Sequence, residues 1–100
     1  MTQSQIIHQA IDREISLGKF LLSSYAERIK DFEKKYKVKT AIFIRQFEKG
    51  TIGDKQDFFE WFSLYKGKKR WEEKLSALKA AWVFKFIFLE KKANYFPPHF

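Results

Sequence analysis

The sequence predicts an all-α fold, an antiparallel helical hairpin of two long heptad-patterned helices with a short connecting helix. Apolar residues recur in two long segments with steps close to an alternating four and three, the spacing of helices that pack side by side. Two glycines, Gly50 and Gly53, lie between the segments and mark a turn. Cysteine is absent, which excludes a disulfide framework and any thiolate metal site.

The first long segment predicts a helix over at least residues 20–36. Gly18 interrupts it and costs about 1 kcal/mol relative to alanine in a helix interior. We therefore expect either a division of the helix at Gly18 or the close approach of another backbone there. The stripe expected to face the core is Ile11, Ile15, Gly18, Leu22, Tyr25, Ile29, Phe32 and Tyr36.

The second long segment predicts a helix over residues 55–80, with Asp54 as its N-cap. Asp57 and Glu60, in its first turns, are acids of the kind that the helix dipole favours. Lys68 stands in the apolar stripe beside Gly67, which indicates a kink or a break at that point. The stripe is Phe58, Trp61, Leu64, Lys68, Trp71, Leu75, Leu78 and Trp82.

A short helix over residues 41–48 is expected between the two long ones. Thr40 is suited to cap its start, and Ile44 and Phe47 are expected to face inward. Gly50 fits the left-handed conformation in which many helices end.

We expect one helical domain over residues 1–92 and an irregular tail over residues 93–100. Pro97 and Pro98 exclude regular helix in the tail. Residues 83–89 suit either helix or strand, and the continuing heptad spacing favours helix. The longest apolar stretch, residues 80–89, is broken by Lys85 and is too short to span a bilayer, which needs about 20 residues.

The residues that could support catalysis or metal binding are few and scattered. The two histidines, His8 and His99, stand at opposite ends of the chain, and no cluster has metal-ligand spacing. There is no phosphate-binding glycine loop. We therefore expect a non-enzymatic protein with no cofactor and no metal. The polar N-terminus lacks the features of a signal peptide, so we expect a cytoplasmic location.

Aromatic residues make up 19% of the chain, which is a large amount for one small core to bury. If Phe58, Trp61 and Leu64 fill the hairpin core, Phe59 and Phe62 need a second surface. Such a surface could be a protein interface, which aromatic anchors favour, or a second layer of the same chain. The predicted protein-binding residues are Phe59, Phe62, Phe84, Phe88 and Tyr95.

The formal net charge is +8, which favours nucleic acid, anionic lipid or an acidic protein as a partner without choosing among them. Basic residues are concentrated in two runs, and one of them, residues 34–39, lies at the end of the first helix. Lysines interleaved with aromatic residues suit phosphate backbones and stacked bases, although a solvated helical face has the same composition. The residues predicted for nucleic-acid binding are Lys66, Lys68, Lys69, Arg70 and Trp71.

The middle of the chain resembles a known group. The segments 32–36, 47–50 and 53–61, which read FEKKY, FEKG and GDKQDFFEW, are similar to those of small helical bacterial and archaeal proteins, mostly uncharacterised. Members of this group are often regarded as antitoxin-like halves of toxin–antitoxin pairs. The group tends to be acidic, whereas this chain is basic. The resemblance implies a regulator that binds a small toxic protein.

Three functions follow as expectations. The first is an antitoxin-like, protein-binding regulator that covers the surface of a small toxic partner. The alternatives are a basic nucleic-acid-binding protein and a structural coiled-coil-like adaptor. Because the aromatic content is high, we also expect a homodimer. The sequence predicts no membrane span.

Overall fold

The computed structural model describes residues 2–84, which form three α-helices. Helix α1 spans Gln3–Tyr36, α2 spans Thr40–Glu48 and α3 spans Gln56–Phe84. The long helices α1 and α3 pack against each other, and no strand occurs within residues 2–84. The predicted all-α fold of two long helices and a short connecting helix is therefore confirmed.

The described residues belong to two compact units. Among the described residues, the central unit comprises residues 21–71, and the terminal unit combines residues 2–20 with residues 72–84. The predicted tail, residues 93–100, and most of the ambiguous segment 83–89 lie outside the described residues. Of that segment, only residues 83 and 84 are described, and both belong to α3.

The two predicted heptad stripes are the buried faces of α1 and α3. Ile29 in the central unit and Leu75 in the terminal unit are both buried, and every other member of the two stripes is buried or half-buried. Burial thus follows the heptad spacing along both helices, as expected for helices that pack side by side.

Neither interior glycine divides its helix. Helix α1 runs without interruption through Gly18, and α3 runs without interruption through Gly67, so no break occurs beside Lys68. A Cβ atom at Gly67 would lie 3.3 Å from Cζ of Tyr25. Gly67 therefore allows the Tyr25 ring to approach the α3 backbone closely.

The end of α2 at Gly50 agrees with the prediction, whereas the starts of α2 and α3 differ from it. Gly50 has φ +71°; its N–H donates to the Phe47 carbonyl, and the Thr51 N–H donates to the Gln46 carbonyl, the pattern of a Schellman motif. At the start of α2, Lys39 is the N-cap and Thr40 is the first helical residue. The predicted cap at Asp54 is wrong, because α3 begins at Gln56.

Each unit has its own buried side chains. In the terminal unit, the His8 ring meets Trp82 edge-on, with 4.9 Å between ring centroids. Nδ1 of His8 lies 2.9 Å from the Ser4 carbonyl oxygen. In the central unit, the core is Ile29, Phe43, Ile44, Phe58, Trp61 and Leu64.

No helix within residues 2–84 has a stretch that is long and apolar enough to cross a membrane.

Candidate protein-interaction surface

Trp61 fixes the orientation of α3 in the central unit. Its side chain is fully buried and stacks on Phe43 of α2, with 3.9 Å between centroids and 3° between planes. It also stacks on Phe32 of α1 at 5.7 Å. Because Phe58, Trp61 and Leu64 are buried on the same side, positions 59 and 62 lie off that side of α3.

Phe59 and Phe62 occupy those outward positions, and α2 reaches both of them. Phe47 stacks on Phe62 with 4.7 Å between centroids and 27° between planes. It meets Phe59 edge-on at 5.4 Å. Phe62 is half-buried against the core, whereas Phe59 is 55% exposed. The second surface expected for this pair is thus supplied in part by the chain itself, and Phe59 is the ring that stays open to solvent.

The basic residues predicted for nucleic-acid binding divide into two groups. Lys66, Lys69 and Arg70 are exposed, whereas Lys68 and Trp71 are half-buried. Lys66 follows Phe62 by four residues, and its ammonium lies 5.5 Å from the Phe62 ring centroid. Helical positions three and four apart are neighbours, so Phe59, Phe62 and Lys66 form one ridge on α3. We call these three residues the α3 ridge.

The other residues predicted for protein binding are not joined to this ridge. Phe84 is 55% exposed, but it belongs to the terminal unit. Phe88 and Tyr95 lie outside the described residues. Their part in a partner surface stays a prediction.

A chain of hydrogen bonds links all three helices in the central unit. The Glu33 carboxylate of α1 accepts hydrogen bonds from the Thr40 N–H at 2.9 Å and from the Thr40 hydroxyl at 2.8 Å. The Thr40 hydroxyl oxygen in turn accepts a hydrogen bond from Nε1 of Trp61 at 3.1 Å. Partial burial alone would raise the pKa of Glu33, but these bonds from Thr40 and the nearby Lys39 and Lys30 lower it. Glu33 therefore caps the N-terminus of α2 as an anion.

Replacing Thr40 with valine should lower the free energy of unfolding by about 1–3 kcal/mol, the usual cost of leaving buried polar groups without partners. Valine keeps the volume but removes the acceptor of the Trp61 N–H and one donor to Glu33. Urea denaturation followed by circular dichroism measures the loss. Thr51→Val, at an exposed hydroxyl after α2, is the matched control and should change stability by less than about 0.5 kcal/mol. Equal losses in the two variants would contradict the importance of this connection.

In the central unit, ion pairs between α1 and α3 use Asp57 and Glu60, the two acids predicted in the first turns of α3. Asp57 accepts hydrogen bonds from Lys35 at 2.7 Å and from the Tyr36 hydroxyl at 2.5 Å. Arg28 pairs with Glu60. The bonds from Lys35 and Tyr36 lower the pKa of Asp57, and the bond to Asp57 raises the pKa values of Lys35 and Tyr36. These acids thus stabilise the hairpin, in addition to any effect on the helix dipole.

Asp57, Lys35 and Tyr36, which we call the Asp57 cluster, should make the stability of the fold depend on pH in two ranges, an acid limb and an alkaline limb. A lowered pKa in the folded state gives stability that is fully present above about pH 4 and is lost as acid protonates Asp57. The raised pKa values of Tyr36 and Lys35 give stability that is fully present below about pH 10 and is lost above it. Asp57→Asn should make the acid limb less steep in thermal melts recorded between about pH 2 and pH 6.

The matched control for the acid limb is Glu27→Gln, which removes an exposed carboxylate of α1 that is not among the residues around Asp57. Glu27→Gln should leave the acid limb as steep as in the unaltered chain. The same slope in all three proteins would show that Asp57 does not stabilise the hairpin.

Sequence reasoning missed a second apolar stripe on the outer face of α1 in the terminal unit. Ile6, Leu17 and Phe20 are exposed there, Phe20 by 69%. Ala10 and one charged residue, Arg13, stand between them at steps of four, three, four and three. The pattern was available in the sequence, but it runs parallel to the buried stripe of the same helix. A helix with apolar residues on two faces has a second face that another helix can cover.

Within residues 2–84 no group of three or more histidine or acidic side chains could hold a metal ion. Comparison with protein-family models, with curated proteins and with solved structures finds no match to this chain. Functional inference therefore depends on the side-chain geometry of the described residues.

Proposed function

We propose that this chain is a non-enzymatic, antitoxin-like regulator that binds a small toxic protein and covers its active surface. The observation that carries the proposal is Phe59, a large ring more than half exposed on the α3 ridge. Exposed aromatic side chains near the centre of an apolar patch are the commonest anchors of protein interfaces. The sequence resemblance to antitoxin-like proteins supports the same class of function.

The surroundings of Phe59 favour a preformed binding surface. Its ring is held edge-on by Phe47, and Phe47 is held in turn by its stack on Phe62. A ring that is already positioned loses less conformational freedom on binding, which leaves more of the interaction energy for affinity. Ile42 of α2 is also exposed and adds apolar surface in the same unit.

The charge of the ridge indicates the chemistry of the partner. Lys66 lies against the Phe62 ring, and Lys69 lies 5.5 Å from the Tyr65 ring centroid. With the chain at +8, a partner with an apolar spot bordered by carboxylates would be attracted at long range and matched at contact. We therefore propose an acidic protein partner.

The experiment that tests the proposed function is co-expression with each reading frame that flanks the gene, followed by affinity purification of this chain. Recovery of a small acidic protein in a fixed ratio, and loss of that protein's growth inhibition on co-expression, would support the proposal. Flanking products that neither bind nor inhibit growth would count against it. The proposal also includes self-association, which sedimentation at micromolar concentration measures.

Nucleic-acid binding is the second candidate function, and basic and aromatic residues of α3, some of them outside the α3 ridge, favour it. Lys66 over Phe62 and Lys69 over Tyr65 combine a phosphate-binding cation with a ring on which a base can stack. Arg70 adds a third exposed positive charge. A steep fall of single-strand affinity with salt, reduced by Lys66→Gln and Lys69→Gln, would favour this function over a protein partner.

A further inference from the structure

A basic groove lies at the end of α1, next to the turn that leads to α2. It encloses about 310 Å³ and is lined by Lys30, Glu33, Lys34, Lys37, Val38 and Lys39. None of these residues comes from α3, so the groove is separate from the α3 ridge. Its walls hold four lysines and one carboxylate.

The single carboxylate of the groove, that of Glu33, is already hydrogen-bonded within the chain. Glu33 accepts both hydrogen bonds from Thr40, which leaves it as an anion bound to the start of α2. The ion pairs found in the described part of the central unit join Arg28 to Glu60 and Lys35 to Asp57. Neither pair uses a lysine of the groove. Four positive charges against one negative charge give the groove a formal charge of +3.

The local backbone gathers these lysines. Lys30, Lys34 and Lys37 are spaced by four and three residues, so the first two share one face of α1. Lys37 has φ +55°, a left-handed conformation in which glycine is usually found at a helix end. The reversal of the chain at Lys37 brings Val38 and Lys39 to the same groove. A lysine therefore occupies a position whose backbone favours glycine, and its side chain lines the groove.

We propose that this groove binds a compact oligophosphate group. Lysine ammonium groups bind phosphate as point charges, and four of them surround one concavity. The groove has neither an arginine fork nor an aromatic ring in its lining, so it offers nothing specific to a planar base. Its volume is near the lower end of the range for small-ligand pockets, about 300 Å³. This proposal does not depend on the proposed function of the α3 ridge.

The test is isothermal titration of the full chain with inorganic tripolyphosphate at low salt. We expect saturable binding that weakens as salt is added, because the contacts are ionic. The double variant Lys34→Gln with Lys37→Gln should bind about tenfold more weakly, since it removes two of the four cations. The control, Arg45→Gln with Lys49→Gln, removes the same charge from two exposed positions near the end of α2, outside the groove, and should bind as the unaltered chain does.

Two results would overturn the proposal. One is the absence of saturable binding to the unaltered chain, and the other is an equal loss in both double variants, which would indicate a response to net charge alone. Backbone amide shifts of the unaltered chain give an independent measurement, because tripolyphosphate should move residues 30–40 first. Shifts centred on other residues would also contradict the groove.

A single-stranded oligonucleotide identifies the source of the phosphate. If its binding weakens in the Lys34 and Lys37 variant as that of tripolyphosphate does, the groove takes backbone phosphates. If the variant weakens the binding of tripolyphosphate but not that of the oligonucleotide, the groove takes a free oligophosphate. Both results support phosphate recognition by these lysines.

Discussion

Replacing Phe43 with alanine should lower the free energy of unfolding by about 3–5 kcal/mol, the usual cost of truncating a buried phenylalanine. The Phe43 side chain is fully buried and lies flat on Trp61 at 3.9 Å. It also contacts Phe47 at 5.6 Å and Phe58 at 5.7 Å between centroids. Truncation leaves a cavity where α2 meets α3, and the stacked rings around it cannot close the space without moving.

Denaturation in urea, followed by circular dichroism, measures this loss. A small domain has about 5–15 kcal/mol of stability in total, so the variant should be close to unfolding at ambient temperature. The matched control is Phe20→Ala, because that ring is 69% exposed and its truncation should cost less than about 0.5 kcal/mol. A loss for Phe43→Ala as small as that of the control would show that α2 does not pack on Trp61.

Phe43 also shows where sequence reasoning reached its limit. The long helices have eight stripe positions each, and a repeated heptad identifies the inward face over that length. Helix α2 has nine residues, about two and a half turns, so its period alone does not decide which apolar residues face the core. The sequence predicted Ile44 and Phe47, whereas the buried pair is Phe43 and Ile44, with Phe47 half-buried above Phe62.

The hydrogen bonds and ion pairs between side chains could not be predicted from the sequence, for a different reason. Glu33 and Thr40 are seven residues apart and meet only because the chain reverses at Lys37 in a left-handed conformation. A lysine gives no signal for that conformation, which glycine usually adopts. Lys35 and Asp57 meet because α1 and α3 have one particular register, and the heptad pattern alone does not specify it.

The ridge was predicted in part. The outward position of Phe59 and Phe62 follows from their place beside the Phe58 and Trp61 stripe, which the sequence gives directly. The division between them depends on how far α2 extends, because Phe47 covers Phe62 more fully than Phe59. Only the structure therefore separates a ring with a structural role from a ring that is available to a partner.

This division leads to the second large effect, which concerns binding and depends on the proposed function. Phe59→Ser should weaken the complex with the protein recovered by co-purification by about 2 kcal/mol or more, or about 30-fold in Kd. The ring is the more exposed of the two rings of the α3 ridge, and serine removes its apolar area without adding charge. Surface plasmon resonance or calorimetry with the purified pair measures the change.

The variant set separates an anchor from a core residue. Phe59→Ser should keep most of the stability of the unaltered chain, because more than half of the ring is already in water. Phe62→Ser should lower stability more, because it removes the ring that stacks on Phe47 at 4.7 Å. Phe20→Ser, at an exposed ring of α1, should leave both affinity and stability nearly unchanged. If Phe59→Ser instead abolished helicity, the ring would be part of the core and the α3 ridge would not be a binding surface. If Phe20→Ser weakened the complex as much as Phe59→Ser, the partner would not be specific for the ridge.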